Sequence, residues 1–234
     1  MTEETAPPAG EMREDWDAYW AGQGHTKPER SAYDVIARFY RNYLIKPTLN
    51  RTLREVFKPG SRLLHAGCGG GEVDADVVDM MRVTALDISP RAVALYRHRY
   101  GTKAEVVEGN IFELGRAVPE TFEGIYNLGV MEHFTPEQIV EIFRQFHQRL
   151  DPGGRIVILW PPVFGLSVIA LHVIHFVLNG ILRRGVALHP AEPTKVSSRR
   201  QVRALLGKAG FDLVQFRFGP SDAFTYCIVV GIKR

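Results

Sequence analysis

The residues with the clearest chemistry lie in the stretch RLLHAGCGGGE, residues 62–72. An apolar strand there runs into the glycine-rich turn Gly67–Gly71 and then directly into a predicted helix. Glycine lets the chain turn sharply and lets a ligand approach the backbone with no Cβ in the way. Asp87 follows Gly67 by twenty residues and ends the next apolar strand. Because a carboxylate at that place can accept hydrogen bonds from both hydroxyls of a ribose, the two features predict a nucleoside-cofactor site.

A second group of interest is the dipeptide Glu132-His133, which follows another predicted strand. His133 could act as a general base for a hydroxyl nucleophile, since the ordinary pKa of histidine lies near neutrality. The alternative is that both side chains only cap or brace the loop into the following helix.

The elements that must position these residues alternate along the chain. Strands are expected at 62–66, 83–87, 105–107, 124–128 and 155–160, with helices at 72–81, 89–100 and 136–150 between them. Ser89 and Thr135 are suitable N-caps, and Pro90 suits a first helical position. Strands separated by helices indicate parallel pairing with right-handed crossovers. A turn is expected at 151–154, before the fifth strand. The C-terminal part differs, with a helix at 198–209 and two strands at 211–218 and 224–232.

The N-terminal region has a different pattern. Residues 1–12 are polar and expected to be disordered, whereas the aromatic segment DWDAYW at 15–20 is expected to be helical or docked on the body. Apolar residues at helical spacing predict an amphipathic helix over 30–46 that Pro47 interrupts, followed by a short helix over 48–57.

Six segments in this order resemble the class I S-adenosylmethionine-dependent methyltransferases over roughly residues 60–233. They are the glycine motif HAGCGGG, the strand-end acid Asp87, the turn Glu108–Ile111, FEGIYNLGVMEHF at 122–134, LDPGG at 150–154, and the last helix with its GF and strand hairpin. A nicotinamide-dependent dehydrogenase, the alternative that shares the first two features, is not expected to end in this hairpin.

The resemblance implies a three-layer α/β, Rossmann-like fold with a seven-stranded, mostly parallel sheet and an antiparallel C-terminal hairpin. Residues 1–58 would form an N-terminal tail and a helical extension that acts as a lid. Residues 59–234 would form the cofactor-binding methyltransferase domain, with a helical insertion at 163–184 after strand five. Both additions would lie over the C-terminal strand ends, where ligands bind in such sheets.

The resemblance also implies S-adenosylmethionine as the cofactor and S-adenosylhomocysteine (SAH) as the product. It assigns the methionyl part to the turn and the ribose to the strand-end acid. It assigns the adenine ring to apolar packing, an amide side chain and a backbone donor, and it places a residue at the end of strand four along the cofactor. In that order the implied cofactor-binding residues are His65, Gly67, Cys68, Gly69, Asp87, Ile88, Asn110, Ile111 and Leu128.

Two of these positions depart from the family pattern. His65 stands where the family usually has Asp or Glu, which helps to hold the methionyl ammonium; a protonated imidazole would repel it, so we expect a neutral or averted ring. Asn110 stands where Asp is common, and its amide oxygen can still accept from the adenine amino group. Some quinone O-methyltransferases of the family bind a divalent cation through a further Glu, but Gly129 occupies that position here, so no metal is predicted.

Ile156–Leu182 contains 27 residues without a formal charge, bounded by Arg155 and Arg183. Its first part is strand five, which Pro161 and Pro162 end, so a membrane span is not predicted. The remainder, 163–182, is expected to be a helix that either packs in the core or forms a lid or interfacial helix for a lipophilic substrate or membrane. A zinc site at His172 and His175 lacks an identifiable third ligand.

The composition is that of a soluble domain: 45% of residues are hydrophobic, 24% are charged, and the formal net charge is +3. Two cysteines do not make a disulfide scaffold, so a reducing cytoplasm is expected. Basic residues concentrate at 30–58 and 183–203, each with a net charge of +5, which makes an anionic membrane surface a candidate partner unless these are only solvated helix faces. No nucleic-acid-binding motif accompanies the charge, and none is expected.

The function expected from these features is transfer of the methyl group of S-adenosylmethionine to a hydrophobic or lipid-like small molecule. Two alternatives stay open: a methyltransferase for a soluble natural-product intermediate, and an inactive cofactor-binding scaffold. The scaffold stays open because His65 stands where the family usually has an acid for the methionyl ammonium. Methyl transfer to nitrogen or a carbanion needs little beyond alignment, so Glu132 and His133 need not be catalytic. The acceptor atom and the oligomeric state do not follow from the sequence.

Overall fold

Seven strands form one sheet in the computed structural model, which describes residues 9–22, 41–165, 192–222 and 224–234. The strands are β1 (Arg62–Ala66), β2 (Arg82–Asp87), β3 (Ala104–Glu108), β4 (Phe122–Leu128), β5 (Leu150–Trp160), β6 (Phe211–Arg217) and β7 (Cys227–Lys233). Their order across the sheet is β3-β2-β1-β4-β5-β7-β6. The pairs from β3 to β5 are parallel, and β7 is antiparallel to both β5 and β6. The expected sheet with its C-terminal hairpin is therefore confirmed.

Helices cover both faces of this sheet. They are α1 (Ala9–Gly22), α2 (Lys46–Val56), α3 (Val77–Met80), α4 (Pro90–Tyr100), α5 (Leu114–Ala117), α6 (Pro136–Arg149) and α7 (Arg199–Lys208). Short 3₁₀ turns lie at Ile111–Glu113, Met131–His133 and Pro220–Asp222, and a π-helical turn at Arg41–Ile45 leads into α2. One hydrophobic cluster joins α5, α6 and α7 to one face, and a second joins α2 and α3 to the other. This is the three-layer α/β arrangement that the resemblance implied.

The chain changes direction across the sheet between β1 and β4, because β2 and β3 lie on one side of β1 and the later strands on the other. In open parallel sheets a ligand crevice forms outside the carboxyl ends of the strands at such a switch point. The glycine-rich turn follows β1 and the dipeptide Glu132-His133 follows β4, so both groups of interest lie at this crevice.

Several element boundaries differ from expectation. The helix expected over 72–81 is reduced to α3, because residues 72–76 form turns in which acidic side chains bind other elements: Asp74 binds His65 and Asp76 binds Asn50. The turn expected at 151–154 lies within the bounds of β5, where the register with β4 shifts and Gly153 has a φ of 71°.

The N-terminal expectations also need correction. The chain is already helical at Ala9, and Met12 is buried in the core, so the disordered tail expected over 1–12 is wrong for its last residues. Pro47 does not end a helix but lies in the first turn of α2, where its missing N–H costs nothing. Residues 1–8 and 23–40 lie outside the described part of the chain.

Most of the apolar insertion, including His172, His175 and the rest of 166–191, lies outside the described residues. Within the described ranges, no helix has the length and hydropathy needed to cross a membrane. Cys68 and Cys227 are both buried and unbonded to each other.

Candidate functional site

The glycine-rich turn is clamped to the end of the neighbouring strand. The backbone N–H groups of Gly67 and Cys68 both donate to the carbonyl oxygen of Leu86 in β2, at 2.8 and 3.0 Å. Gly67 and Gly69 have φ values of 77° and 52°, in the left-handed region that disfavours a side chain. A Cβ at Gly67 would lie 2.7 Å from Val130, so the close approach of the loop after β4 also requires glycine there.

Asp87 holds this turn from the end of β2. Its Oδ2 accepts from the N–H of Gly69 at 2.8 Å and its Oδ1 accepts from the N–H of Ser89 at 3.0 Å. The side chain is only 8% exposed, and burial raises its pKa although the backbone donors oppose that shift. Each carboxylate oxygen can accept a further bond, so Asp87 can brace the turn and still bind two ribose hydroxyls.

The residues expected to contact adenine and to line the cofactor lie at or just after the ends of β2, β3 and β4. Asn110 caps the following 3₁₀ turn, its Oδ1 accepting from the N–H of Phe112 at 3.0 Å, so an adenine amino group would share this oxygen. Ile111 is buried, and Ile88 is half-buried against the same hydrophobic cluster. Leu128 is half-buried at the end of β4 and packs against the other cluster.

These residues fit S-adenosylmethionine on chemical grounds. The glycines of the turn leave room for a flexible methionyl chain. Asp87 has acceptor capacity left for a ribose, and the apolar side chains beyond it suit an adenine ring.

Helix α1 crosses this crevice, which the sequence pattern alone did not show. A Cβ at Gly69 would lie 2.6 Å from the indole ring of Trp20, so this ring rests directly on the turn. Asp17 accepts from the hydroxyl of Ser89 at 2.9 Å and from the N–H of Arg91 at 3.1 Å, and it pairs with the Arg91 guanidinium at 2.9 Å. The sequence led us to expect that the N-terminal extension lies over the strand ends, but the partners of Trp20 and Asp17 follow only from the tertiary structure.

The two candidate catalytic residues face different surroundings. His133 is half-buried and packs edge-to-face against Trp16 of α1, with the ring centroids 5.0 Å apart. Glu132 is buried, and burial raises its pKa to about 8. Its Oε2 has no hydrogen-bonding partner among the described residues. At neutral pH Glu132 is therefore mainly a neutral acid, and His133 is the group of the two that is suited to accept a proton.

Comparison with known proteins agrees with this geometry. A family profile described as a methyltransferase domain matches residues 63–154. The ubiquinone biosynthesis O-methyltransferase of Xanthomonas campestris pv. campestris is 28% identical over 165 residues, which cover 67% of this chain and 63% of that protein. The chain thus spans less than two thirds of the length of the curated relatives that it matches most strongly.

Solved structures show the same fold. Magnesium protoporphyrin IX methyltransferase from Synechocystis PCC 6803, solved with bound SAH, has a TM-score of 0.69 at 15% identity and covers 97% of this chain and 100% of its own. The pyocyanin biosynthetic protein PhzM has a TM-score of 0.65 at 14% identity, covering 93% of this chain and 61% of its own. Residues 63–154 therefore match a methyltransferase domain, and the chain shares the fold of solved methyltransferase structures.

His65 does not border an open crevice. Its ring is 2% exposed, its Nδ1 lies 2.6 Å from Oδ2 of Asp74, and it stacks on Tyr126 with the ring centroids 4.2 Å apart. The hydroxyl of Tyr96 donates to the same carboxylate oxygen at 2.8 Å. Sequence reasoning missed Asp74 and Tyr96, since only the fold brings them to the glycine turn.

The described residues on either side of the apolar insertion, 163–165 and 192–196, meet beyond the end of β5. Val163 and Val196 are joined by a backbone hydrogen bond of 3.0 Å just beyond β5, and the indole N–H of Trp160 donates to Thr194 at 3.0 Å. The N–H of Thr194 in turn donates to the carbonyl oxygen of Glu132 at 3.2 Å. The insertion therefore leaves and rejoins the domain beside the candidate catalytic dipeptide.

Proposed function

We propose that this methyltransferase transfers the methyl group of S-adenosylmethionine to a hydrophobic, lipid-like small molecule bound beyond the ends of β4 and β5. The observation that carries this proposal is the anchoring of the apolar insertion. Its 163–165 and 192–196 ends meet beside Glu132, so an apolar segment enters the structure where the acceptor must lie. Apolar lining is what a pocket for such an acceptor needs.

The bound cofactor supplies an electrophilic methyl group on a sulfonium centre. The residues of the chain orient it and exclude water. Gly67 and Gly69 let the methionyl part lie against the backbone, and Asp87 fixes the ribose. For a hydroxyl acceptor, the imidazole of His133 takes the proton as the oxygen attacks in line, and neutral Glu132 can donate a hydrogen bond at the acceptor.

Helix α1 acts as a lid in this proposal. Trp20 covers the glycine turn, Trp16 packs on His133, and Asp17 ties the helix to the end of β2. Because these contacts span both the cofactor and the acceptor side of the crevice, α1 must move for ligand exchange and must close to exclude water.

A membrane surface is the source of the acceptor that we favour. Three large hydrophobic residues are exposed near the start of the insertion: Val163, Phe164 and Phe224. The backbone of Phe224 is strained, with a φ of 57°. Phe164 and Phe224 both pack on the ring of Phe218. Arg199 is exposed at the start of α7, three residues after Val196, which is hydrogen-bonded to Val163. Exposed apolar side chains with nearby basic residues are typical of surfaces that bind anionic lipid.

The test is production of SAH with separate organic-soluble and aqueous fractions of a cell extract. We expect turnover with the organic-soluble fraction, and we expect His133→Ala to lower it by roughly 10²-fold without changing the affinity for SAH. His98→Ala, an exposed histidine on α4, is the matched control. Turnover only with the aqueous fraction would favour a soluble natural-product acceptor, and no turnover with either would favour a scaffold.

A further inference from the structure

A buried cluster of four polar side chains lies behind the glycine turn. Asp74 is fully buried and accepts from Nδ1 of His65 and from the hydroxyl of Tyr96, both through Oδ2. Its Oδ1 has no hydrogen-bonding partner within the described ranges. Tyr126 stacks on the His65 ring from β4. None of these side chains takes part in the transfer step described above.

Asp74 links the two ends of the turn. Its side chain holds His65, which stands two residues before Gly67 at the end of β1. Its backbone N–H donates to the carbonyl oxygen of Gly71 at 3.2 Å, and its carbonyl oxygen accepts from Val78 of α3 at 3.0 Å. Through one residue, the strand before the turn is joined to the helix after it.

Asp74 also determines the net charge behind the turn. A carboxylate accepts only, so while Asp74 is ionised the proton of the short contact lies on His65. If His65 is neutral, the His65–Asp74 pair carries a charge of −1, and if it is protonated the pair carries none. In neither state is the pair positive. The two tyrosines add no charge, since burial followed by the charge of Asp74 raises the pKa of Tyr96 and Tyr126 far above neutrality.

The negative charge of Asp74 reaches the turn itself. The pKa of the Cys68 thiol is raised well above its usual range, first by burial and then by the charges of Asp87 and Asp74. Cys68 lies between Gly67 and Gly69, so a carboxylate that acts on its sulfur also acts on a ligand lying against those glycines.

We infer that Asp74 is a positioning residue for the ammonium group of the cofactor. It turns the His65 ring away from the crevice and supplies a negative field behind the glycine turn. The inference rests on the proposed binding of S-adenosylmethionine, whose amino-acid end carries an ammonium group. The adenosine end carries no charge and lies toward Asp87. Loss of the Asp74 charge should therefore weaken binding of one end of the cofactor and not of the other.

Calorimetry with two probes separates the ends. SAH has the ammonium group, whereas 5′-methylthioadenosine has the same adenosine and no amino-acid part. For Asp74→Asn we expect the affinity for SAH to fall by about tenfold or more, and that for 5′-methylthioadenosine to change less than about threefold. Asp79 is an exposed acid of α3 that pairs with Lys103. Asp79→Asn is the control and should change the affinity for neither probe. Adding His65→Asp to Asp74→Asn should restore SAH binding, because it puts a carboxylate back behind the turn.

Equal loss of both probes in a folded Asp74→Asn variant would show a merely structural role and overturn the inference. If Asp74→Asn does not fold, His65→Gln serves instead: it leaves the carboxylate in place, so SAH binding should persist, and a selective loss of SAH would contradict the inference. Wild-type protein that binds neither probe would refute the proposed cofactor binding itself, whereas wild-type binding of both with no effect of Asp74→Asn would refute only the role of Asp74.

Discussion

At the scale of single residues, the acids of this site are distinguished by their surroundings. Asp87 is buried but receives two backbone N–H groups, which favour its charged form. Glu132 is buried with one carboxylate oxygen unpartnered in the described structure, which favours its neutral form. Two buried carboxyl groups in one crevice thus suit different tasks, one accepting hydrogen bonds and the other donating one.

Asp87→Ala should weaken SAH binding by about 2–3 kcal/mol, because two ribose hydroxyls lose their acceptor and the N–H of Gly69 loses its partner. Calorimetry on a variant shown to be folded by circular dichroism measures this. Asp79→Ala changes an exposed side chain of α3 and should leave the affinity for SAH unchanged. Wild-type affinity in folded Asp87→Ala would remove this residue from the site.

Glu132 should make the stability of the protein depend on pH. Its pKa rises from 4.5 to about 8 on folding because of burial. Between these values the folded state binds a proton that the unfolded state has lost, so the free energy of unfolding falls as pH rises through this window. Glu132→Gln should remove this dependence and raise the free energy of unfolding at pH 8 relative to wild type by on the order of a few kcal/mol. Urea titrations at pH 5, 7 and 9 test it; parallel curves for the two proteins would show that Glu132 is not buried as a neutral acid.

At the scale of elements, α1 depends on a small number of directed contacts. Asp17 receives one side-chain and one backbone hydrogen bond from the start of α4, while Arg13 pairs with Glu108 at the end of β3 at 2.7 Å. Trp20 adds packing on glycine, where no side chain competes for the space. Together with Met12 in the hydrophobic core and Trp16 packed against it, these few contacts hold α1 in place, and their small number suits an element that must open.

Asp17→Ala should therefore loosen α1 without unfolding the domain. We expect faster dissociation of SAH and weaker hydrogen-exchange protection of the α1 amides, with little change in melting temperature. Asp15→Ala removes an exposed acid of the same helix and is the control. Unchanged dissociation together with unchanged protection in Asp17→Ala would contradict the proposal that α1 is a lid.

At the scale of the whole molecule, the crevice, α1 and the start of the apolar insertion all lie at the carboxyl ends of the parallel strands. Val163 and Phe164 follow β5, Phe224 precedes β7, and Arg199 begins α7 three residues after Val196. One edge of the domain can therefore face a lipid surface while the acceptor enters the crevice from it.

Flotation with liposomes containing anionic lipid tests this arrangement. We expect wild-type protein to float at low salt and to be released at high salt, since charge attraction is screened beyond about 10 Å at 0.1 M. Phe164→Asp should abolish flotation, whereas Val214→Asp, at an equally exposed apolar site on β6, should not. Wild-type protein that stays at the bottom of the gradient at low salt would rule out the membrane surface.

Local pattern was enough to predict most elements. Ser89 and Pro90 begin α4 as expected, and Thr135 forms a reciprocal cap with Gln138 at the start of α6. Both signals act within one helical turn, so no distant residue has to be known. The glycine turn and Asp87 were predictable for the same reason, since a strand, a turn and a strand-end acid recur at a set spacing.

What the sequence by itself determined is thus the order of strands and helices, the glycine turn with its acid, and a resemblance to the class I methyltransferases. Only the tertiary structure decided that Asp74 lies against His65, that Trp20 lies on Gly69, and that Glu132 is buried under residues 192–196. These pairings join residues far apart in the chain or in turns with no periodic pattern. Their side chains carry no local preference for one another; packing of the helices on a finished sheet brings them together, and their protonation depends on the water that this packing removes.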